Sequence, residues 1–293
     1  MICEICYTEC DPAFYDDHII FCIEEQEKLI TQFQNQQPVK IDNLKLTESQ
    51  EKAVLYFKRK SKAIAKNMKL LTLAKFQFKG YTEEDLNKCV EYIKTIPIII
   101  HVHLEKHLNF LITDTEYRNQ FETNMSSGSL SKESRTIWEQ NLFGKMYDNC
   151  QGFERVKYGV LNILNEPTGV LSAYGYGDSY LELKTKVKER SSFVLGDSSL
   201  KQFQICSFDT PIQLLYYVDD ALLNEIINKA LNKNLTDKKF IRYTYIELQI
   251  HGPVRLSEDV EILVVNKKYE YNNIIMDQVH KFCEKHGVKY RVN

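Results

Sequence analysis

The chain has 293 residues, 43% hydrophobic and 27% charged, with a formal net charge of -2. That length allows one large domain or two modest ones, and the charge gives no support for nucleic acid or an anionic membrane as a partner. No apolar run approaches the ~20 residues of a membrane-crossing helix. The opening MICEICYTECD lacks the basic start and apolar centre of a signal peptide. With eight scattered cysteines, a reducing, cytosolic setting is the expectation.

Cys3, Cys6, Cys10 and Cys22 cluster at the start, with His18 between the last two. Cys3-x-x-Cys6 has a metal-knuckle spacing that Cys10, His18 or Cys22 could complete. A second Cys-x-x-Cys is missing, so packed free thiols are the favoured reading and no metal is expected. Thr47-x-x-Gln50 is a capping box for a helix to about Leu71, with Ala53, Val54, Phe57 and Ile64 at helical spacing. Thr82-x-x-Asp85 announces a second helix, with Leu86, Cys89, Val90 and Ile93 as its stripe. Residues 1–95 therefore read as a helical N-terminal region, and residues 96–293 as a mixed domain.

Texture changes at Ile98. Ile98–Leu104 is a β-branched run, a buried strand on which His101 and His103 would share a side. Tyr117–Gly128 (YRNQFETNMSSG) sets an arginine before a small-residue loop, a pairing that can cradle an anion. Thr136–Tyr147 reads as a helix burying Trp138, the one tryptophan of the chain. Asn165–Gly169 is a turn, and Tyr180–Leu183 after Ser179 a strand. Asp209-Thr210-Pro211 caps a helix running towards Asn232. Tyr243–His251 alternates as a strand with Glu247 and Gln249 on one face. Val260–Val265 is another strand, Asn272–Lys285 a helix stopped by Gly287, and Val288–Val292 a last strand.

The ordered strings HVHLEK, YRNQFETNMSSGS, WEQNLFG, ERVKYGVLNIL, GYGDSYLEL, ERSSFVLGDSS and YIELQIHGPVRLSEDVEILVVN, with LTESQEKAV before them, carry a resemblance. Over residues 46–268 the chain resembles a bacterial domain family of formally unknown function, regarded as a divergent branch of the ADP-ribosyltransferase superfamily. The resemblance implies an α+β protein: a helical N-terminal region, then a mixed β-sheet domain with NAD in a cleft between two small sheets. It implies an Arg-Ser-Glu constellation carried by Arg118, Ser179 and Glu247.

In that chemistry the nicotinamide–ribose bond breaks through an oxocarbenium-like transition state. Glu247 would stabilise the positive charge and hold the ribose 2′-hydroxyl, Arg118 would pair the pyrophosphate, and Ser179 would orient Glu247. Arginine-modifying members carry Glu-x-Glu with the later Glu catalytic, whereas here the pair is Glu247-x-Gln249. Glu247 is therefore the preferred carboxylate, Asp259-x-Glu261 the reserve, and Gln249 the residue available to orient a target arginine. The resemblance also offers His103 for holding the ribose, either beside Arg118 or in its place. The implied activity is mono-ADP-ribosyl transfer from NAD to a protein side chain, arginine foremost. The alternatives are an NAD glycohydrolase using the same site and a silent interaction protein on the same fold. Many members of the superfamily are bacterial toxins or effectors, which implies action in a host cytosol.

Overall fold

The computed structural model describes residues 45–124, 131–199, 204–233 and 243–293. The cysteine-rich start and the greater part of the loop after Asn124 lie outside the described residues. Both capping boxes form. Thr47 and Gln50 exchange side-chain and backbone bonds at the head of α1 (Glu48–Phe78), and Thr82 and Asp85 do so for α2 (Glu83–Thr95). α1 runs past Leu71 because nothing in its sequence breaks it before Gly80, whose φ of 81° ends the turn.

β1 (Ile98–Val102) is buried throughout. It stops one residue before His103, which instead caps α3 (Leu104–Thr113), so His101 and His103 do not share a strand face. There follow β2 (Glu116–Tyr117), α4 (Gln120–Thr123, begun by Asn119), and α5 (Lys132–Phe143, capped by Ser131). On α5 the buried residues are Glu139, Leu142 and Phe143, while Trp138 is half-buried. The strands β3 (Lys157–Leu161), β4 (Ser179–Leu183), β5 (Ser191–Leu195) and β6 (Cys206–Ser207) come next. The helix expected after Pro211 is two, α6 (Ile212–Tyr217) and α7 (Asp220–Ala230). Asp219 interrupts them by capping α7 through a bond from Leu222 N–H at 2.8 Å. The chain closes with β7 (Ile246–Ile250), β8 (Val254–Arg255), α8 (Leu256–Asp259), β9 (Val260–Val265), α9 (Asn273–His286) and β10 (Lys289–Val292).

Among the described residues the large sheet has the order β10-β9-β4-β1-β3-β7-β5-β6, with β10 parallel to β9 and the other pairs antiparallel. It is a mixed sheet in an α+β protein. Two four-stranded leaves meet at its centre. β1 pairs along four positions with β4, and β3 along four with β7, but β1 and β3 pair only at Ile98↔Leu161 and Ile99↔Val160. Beyond that point the strands part. At Gly159 an added Cβ would stand 2.6 Å from the Ile99 carbonyl oxygen, so only glycine lets β3 leave β1 at so close an approach.

One continuous apolar core joins both leaves, from Leu263 and Tyr180 through Ile98 and Leu161 to Leu248 and Phe193. The helices of residues 48–95 belong to the same compact unit as the sheet, Leu46–Asn293. Ser61 of α1 illustrates the join. Its hydroxyl donates to the Thr210 carbonyl at 3.1 Å and accepts from Ser207 N–H on β6 at 2.9 Å.

Candidate functional site

A cavity of about 450 Å³ opens where β1 and β3 diverge, a size suited to a small organic ligand. Its strand-borne lining includes His101 of β1, Tyr158 and Gly159 of β3, and Glu247 of β7. The wall opposite comes from residues 107–123 and 135–138, with Arg118, Phe121, Arg135 and Trp138. Strand pleating explains the inner face: Val160 stands opposite Glu247, and Tyr158 opposite Gln249, on the same side of the sheet.

Glu247 is 7% exposed. Its Oε1 accepts from Gln249 Nε2 at 2.9 Å and its Oε2 from Ser198 N–H at 3.4 Å. Burial pushes its carboxyl up to about 7 against those two bonds, and the negative charge of Asp197 adds to the rise. Asp197, on the turn after β5, receives the Tyr245 hydroxyl at 2.6 Å and Ser199 N–H at 2.8 Å. Burial pushes Asp197 upward too, but the bonds outweigh it and its carboxyl lies below the ordinary value. Two neighbouring carboxylates thus have separated proton affinities, an arrangement suited to acid–base work.

Gln249 is fully buried and does not line the cavity. Ser192 Oγ donates to its Oε1 at 2.9 Å, so both ends of the amide are engaged inside the protein. Ser179 is also outside the cavity. Its hydroxyl accepts from Asn266 N–H at 3.0 Å, tying β4 to the end of β9. The carboxylate-orienting position that the resemblance implied for Ser179 is filled by Gln249, because β4 and β7 lie in different leaves.

Arg118 lines the cavity, but its guanidinium is already matched. Nε and Nη2 form a fork on Asp114 at 2.8 and 2.9 Å, Nη1 reaches Glu122 at 3.0 Å, and Glu116 stands at 3.6 Å. The Arg118 bond holds the Asp114 carboxyl down to about 2 despite partial burial. A pyrophosphate at Arg118 would meet three carboxylates. The other arginine of the lining, Arg135, lies over the rings of Tyr158 (5.1 Å) and Trp138 (5.8 Å). Behind them Glu139 accepts from Arg155 at 2.6 Å and from the Tyr158 hydroxyl at 3.4 Å.

His103 sits outside the lining, with Nε2 3.2 Å from the Gly175 carbonyl. His101 is the histidine that lines the cavity. Val170 N–H donates to its Nε2 at 3.2 Å, which places the proton on Nδ1, facing the Gly177 carbonyl at 2.7 Å. Burial pulls its pKa down to about 4, so it stays neutral and fastens the turn carrying Ala173 and Tyr176. The reserve pair lies elsewhere: Asp259 is bound by Arg190 at 3.0 Å, and Glu261 is exposed.

Sequence reading passed over Arg135, Trp138, Tyr158, Tyr176, Asp197 and Tyr245 as site residues. Two signals were available: Arg135 and Trp138 are three apart on one helix, and Tyr245 precedes Glu247 by two in an alternating strand.

The profile of a family described as "Protein of unknown function (DUF3626)" matches residues 100–243. That span includes His101, Arg118, Arg135 and Asp197 and ends before Glu247. The chain is 28% identical over 171 residues to the Gene 2 protein of Mycobacterium phage D29, and 25% identical over 171 residues to that of Mycobacterium phage L5. Each match takes in 56% of this chain and 62% of the relative, so the chain spans about three-fifths of the length of these curated relatives. Among solved structures, Thermosipho africanus DarTG in complex with ADP-ribose aligns with a TM-score of 0.36 and 10% identity, covering 67% of this chain and 49% of the other.

Proposed function

We propose that the protein cleaves the nicotinamide–ribose bond of NAD and transfers the ADP-ribosyl group to an acceptor, with Glu247 as the acting carboxylate. The observation that carries this reading is a buried carboxylate, held by two neutral donors, at the parting of two β-leaves in a cavity walled by aromatic rings. The resemblance in the sequence selects the reaction among those such a carboxylate can serve.

The step follows from charge. The C1′–N bond breaks and its electron pair leaves on the nicotinamide nitrogen. Ionised Glu247 stabilises the positive ribose and accepts a hydrogen bond from its 2′-hydroxyl. The acceptor's lone pair then forms the new bond at C1′, and its proton passes to a base, a role open to a carboxylate whose pKa lies near 7.

A protein side chain is the proposed acceptor, in the cytosol where NAD is plentiful. A role as a delivered effector rests on the resemblance alone. The arginine reading relied on Gln249 to orient a guanidinium, and that amide is engaged by Ser192 and Glu247. The same fact favours water as a second acceptor, which would make the protein an NAD glycohydrolase.

Incubation of the purified chain with labelled NAD and a eukaryotic lysate, beside Glu247→Ala, tests the proposal. A labelled protein band lost in the variant supports transfer, and nicotinamide release without a band supports hydrolysis. Neither signal from a folded chain sinks both.

A further inference from the structure

Gln249 stands one pleat from Glu247 on the same face of β7, opposite Ser192 of β5 and Tyr158 of β3. An amide in such a place can in principle point either way, and two bonds decide it. The Ser192 hydroxyl meets the amide oxygen at 2.9 Å, and the amide nitrogen meets Glu247 Oε1 at 2.9 Å and the Glu247 carbonyl at 3.4 Å. A flipped amide would set its oxygen against a carboxylate, acceptor facing acceptor. Ser192 and Gln249 are both fully buried, so no solvent competes for these bonds.

We propose that Gln249, oriented by Ser192, is the positioning residue of the site: it holds Glu247 in one rotamer facing the cavity and takes no part in recognising the acceptor. This rests on the reading of Glu247 as the acting carboxylate. Acceptor choice then belongs to the cavity wall, and an arginine target gains nothing from Gln249. The bond also favours the charged form of Glu247, since an N–H donor serves a carboxylate better than a carboxylic acid. The other ionisable groups lining the cavity include Asp197 after β5, Tyr158 on β3, Tyr245 just before β7, Arg135 on α5, His101 on β1, Tyr176, and the Asp114, Glu116 and Arg118 cluster with His107 and Tyr117 on the far wall. Asp197 is the one that opposes its ionisation, and Gln249 and Ser198 offset it.

The test titrates Glu247 directly in the full chain. Protein carrying ¹³C at its glutamate carboxyls gives a Glu247 signal identified by its loss in Glu247→Gln. The midpoint is followed in wild type, Ser192→Ala, Gln249→Leu and the near-isosteric Gln249→Glu, which carries the titration if the leucine variant does not fold. Gln249→Leu is expected to raise the midpoint by about one pH unit. Gln249→Glu raises it further, because two adjacent carboxylates share one proton, and Ser192→Ala raises it less. Nicotinamide release at pH 7 should fall in the same order, roughly tenfold in kcat for Gln249→Leu, with KM for NAD unchanged and the loss recovered at higher pH. An unmoved Glu247 midpoint in both Gln249 variants, or a loss confined to KM, overturns the proposal. A wild-type chain that releases no nicotinamide at any pH defeats the functional reading, while the titration still decides the role of Gln249.

Discussion

The two ends of the cavity treat charge in opposite ways. At the Arg118 end, four ionic side chains from residues 114–122 sit at the protein's edge and satisfy one another, with Asp114 drawn down to about 2 by its guanidinium partner. At the Glu247 end, a carboxylate on a central strand has no cationic hydrogen-bond partner among the described residues, and burial lifts it to about 7. Half-exposed ion pairs form at little cost and stabilise little. A buried carboxylate held by neutral donors is costly and persists where chemistry needs it. The contrast makes Arg118 a fastener and supports the proposal that Glu247 is the acting group.

The strongest way to break this contrast is to remove Glu247. Glu247→Ala should lower nicotinamide release from NAD by roughly 10²–10³-fold, the scale of losing one preorganised electrostatic group. A residual rate within tenfold of wild type would end the assignment. The geometry that gives Glu247 its setting is next. Gly159→Ala drives a Cβ to 2.6 Å from backbone oxygen and should cost about 1–3 kcal/mol in denaturant unfolding.

Acidity separates the two ends without mutation. Nicotinamide release should rise with pH and level off above about 7, as Glu247 ionises. Stability runs the other way. The folded-state pKa of Glu247 is raised, so its contribution is present below the unfolded carboxyl value and is lost as pH climbs through about 7. Glu247→Ala should remove that component from a Tm–pH curve.

Smaller effects sharpen the picture. Ser179→Ala strips the partner from a part-buried Asn266 N–H and should cost about 1 kcal/mol while leaving NAD turnover unchanged. Asp114→Asn loosens the fork on Arg118 and should cost about 0.5 kcal/mol, less in high salt. A large loss of turnover in the Ser179 variant would restore that residue to the site.

Much of the fold was legible because it is written in local rules. Thr47-x-x-Gln50 and Thr82-x-x-Asp85 cap helices by short-range bonds, Ile98–Val102 has the pattern of a buried strand, and Gly287 ends a helix in the left-handed region. Glu247 was legible because alternation places it on the face it shares with Gln249. The partner of Glu247 was not, since Ser179 and Ser192 differ in strand order, and β4 and β5 fall in separate leaves. The ionic setting of Arg118 was hidden for a related reason. The sequence shows a cation before a small-residue loop, yet Asp114 and Glu122, each four residues away, close on it once Asn119 starts a helical turn. His103 lost its strand position to the first turn of α3.

The parting of β1 from β3 also dictates where this architecture can change. Residues 103–156 leave the sheet at one lip of the gap and return at the other, carrying Arg118, Phe121, Arg135 and Trp138 over the opening. Glu247, Gln249, Ser192 and Tyr158 stay on the ladders beneath. That excursion is also tied down by β2, which pairs with β8, and by Lys285 on the carbonyls of Ile112, Thr113 and Asp114. The changes open to it without touching a strand partner are therefore those of its cavity-facing side chains. Descendants of such a chain are free to exchange the customer at the door while keeping the same machinery behind it.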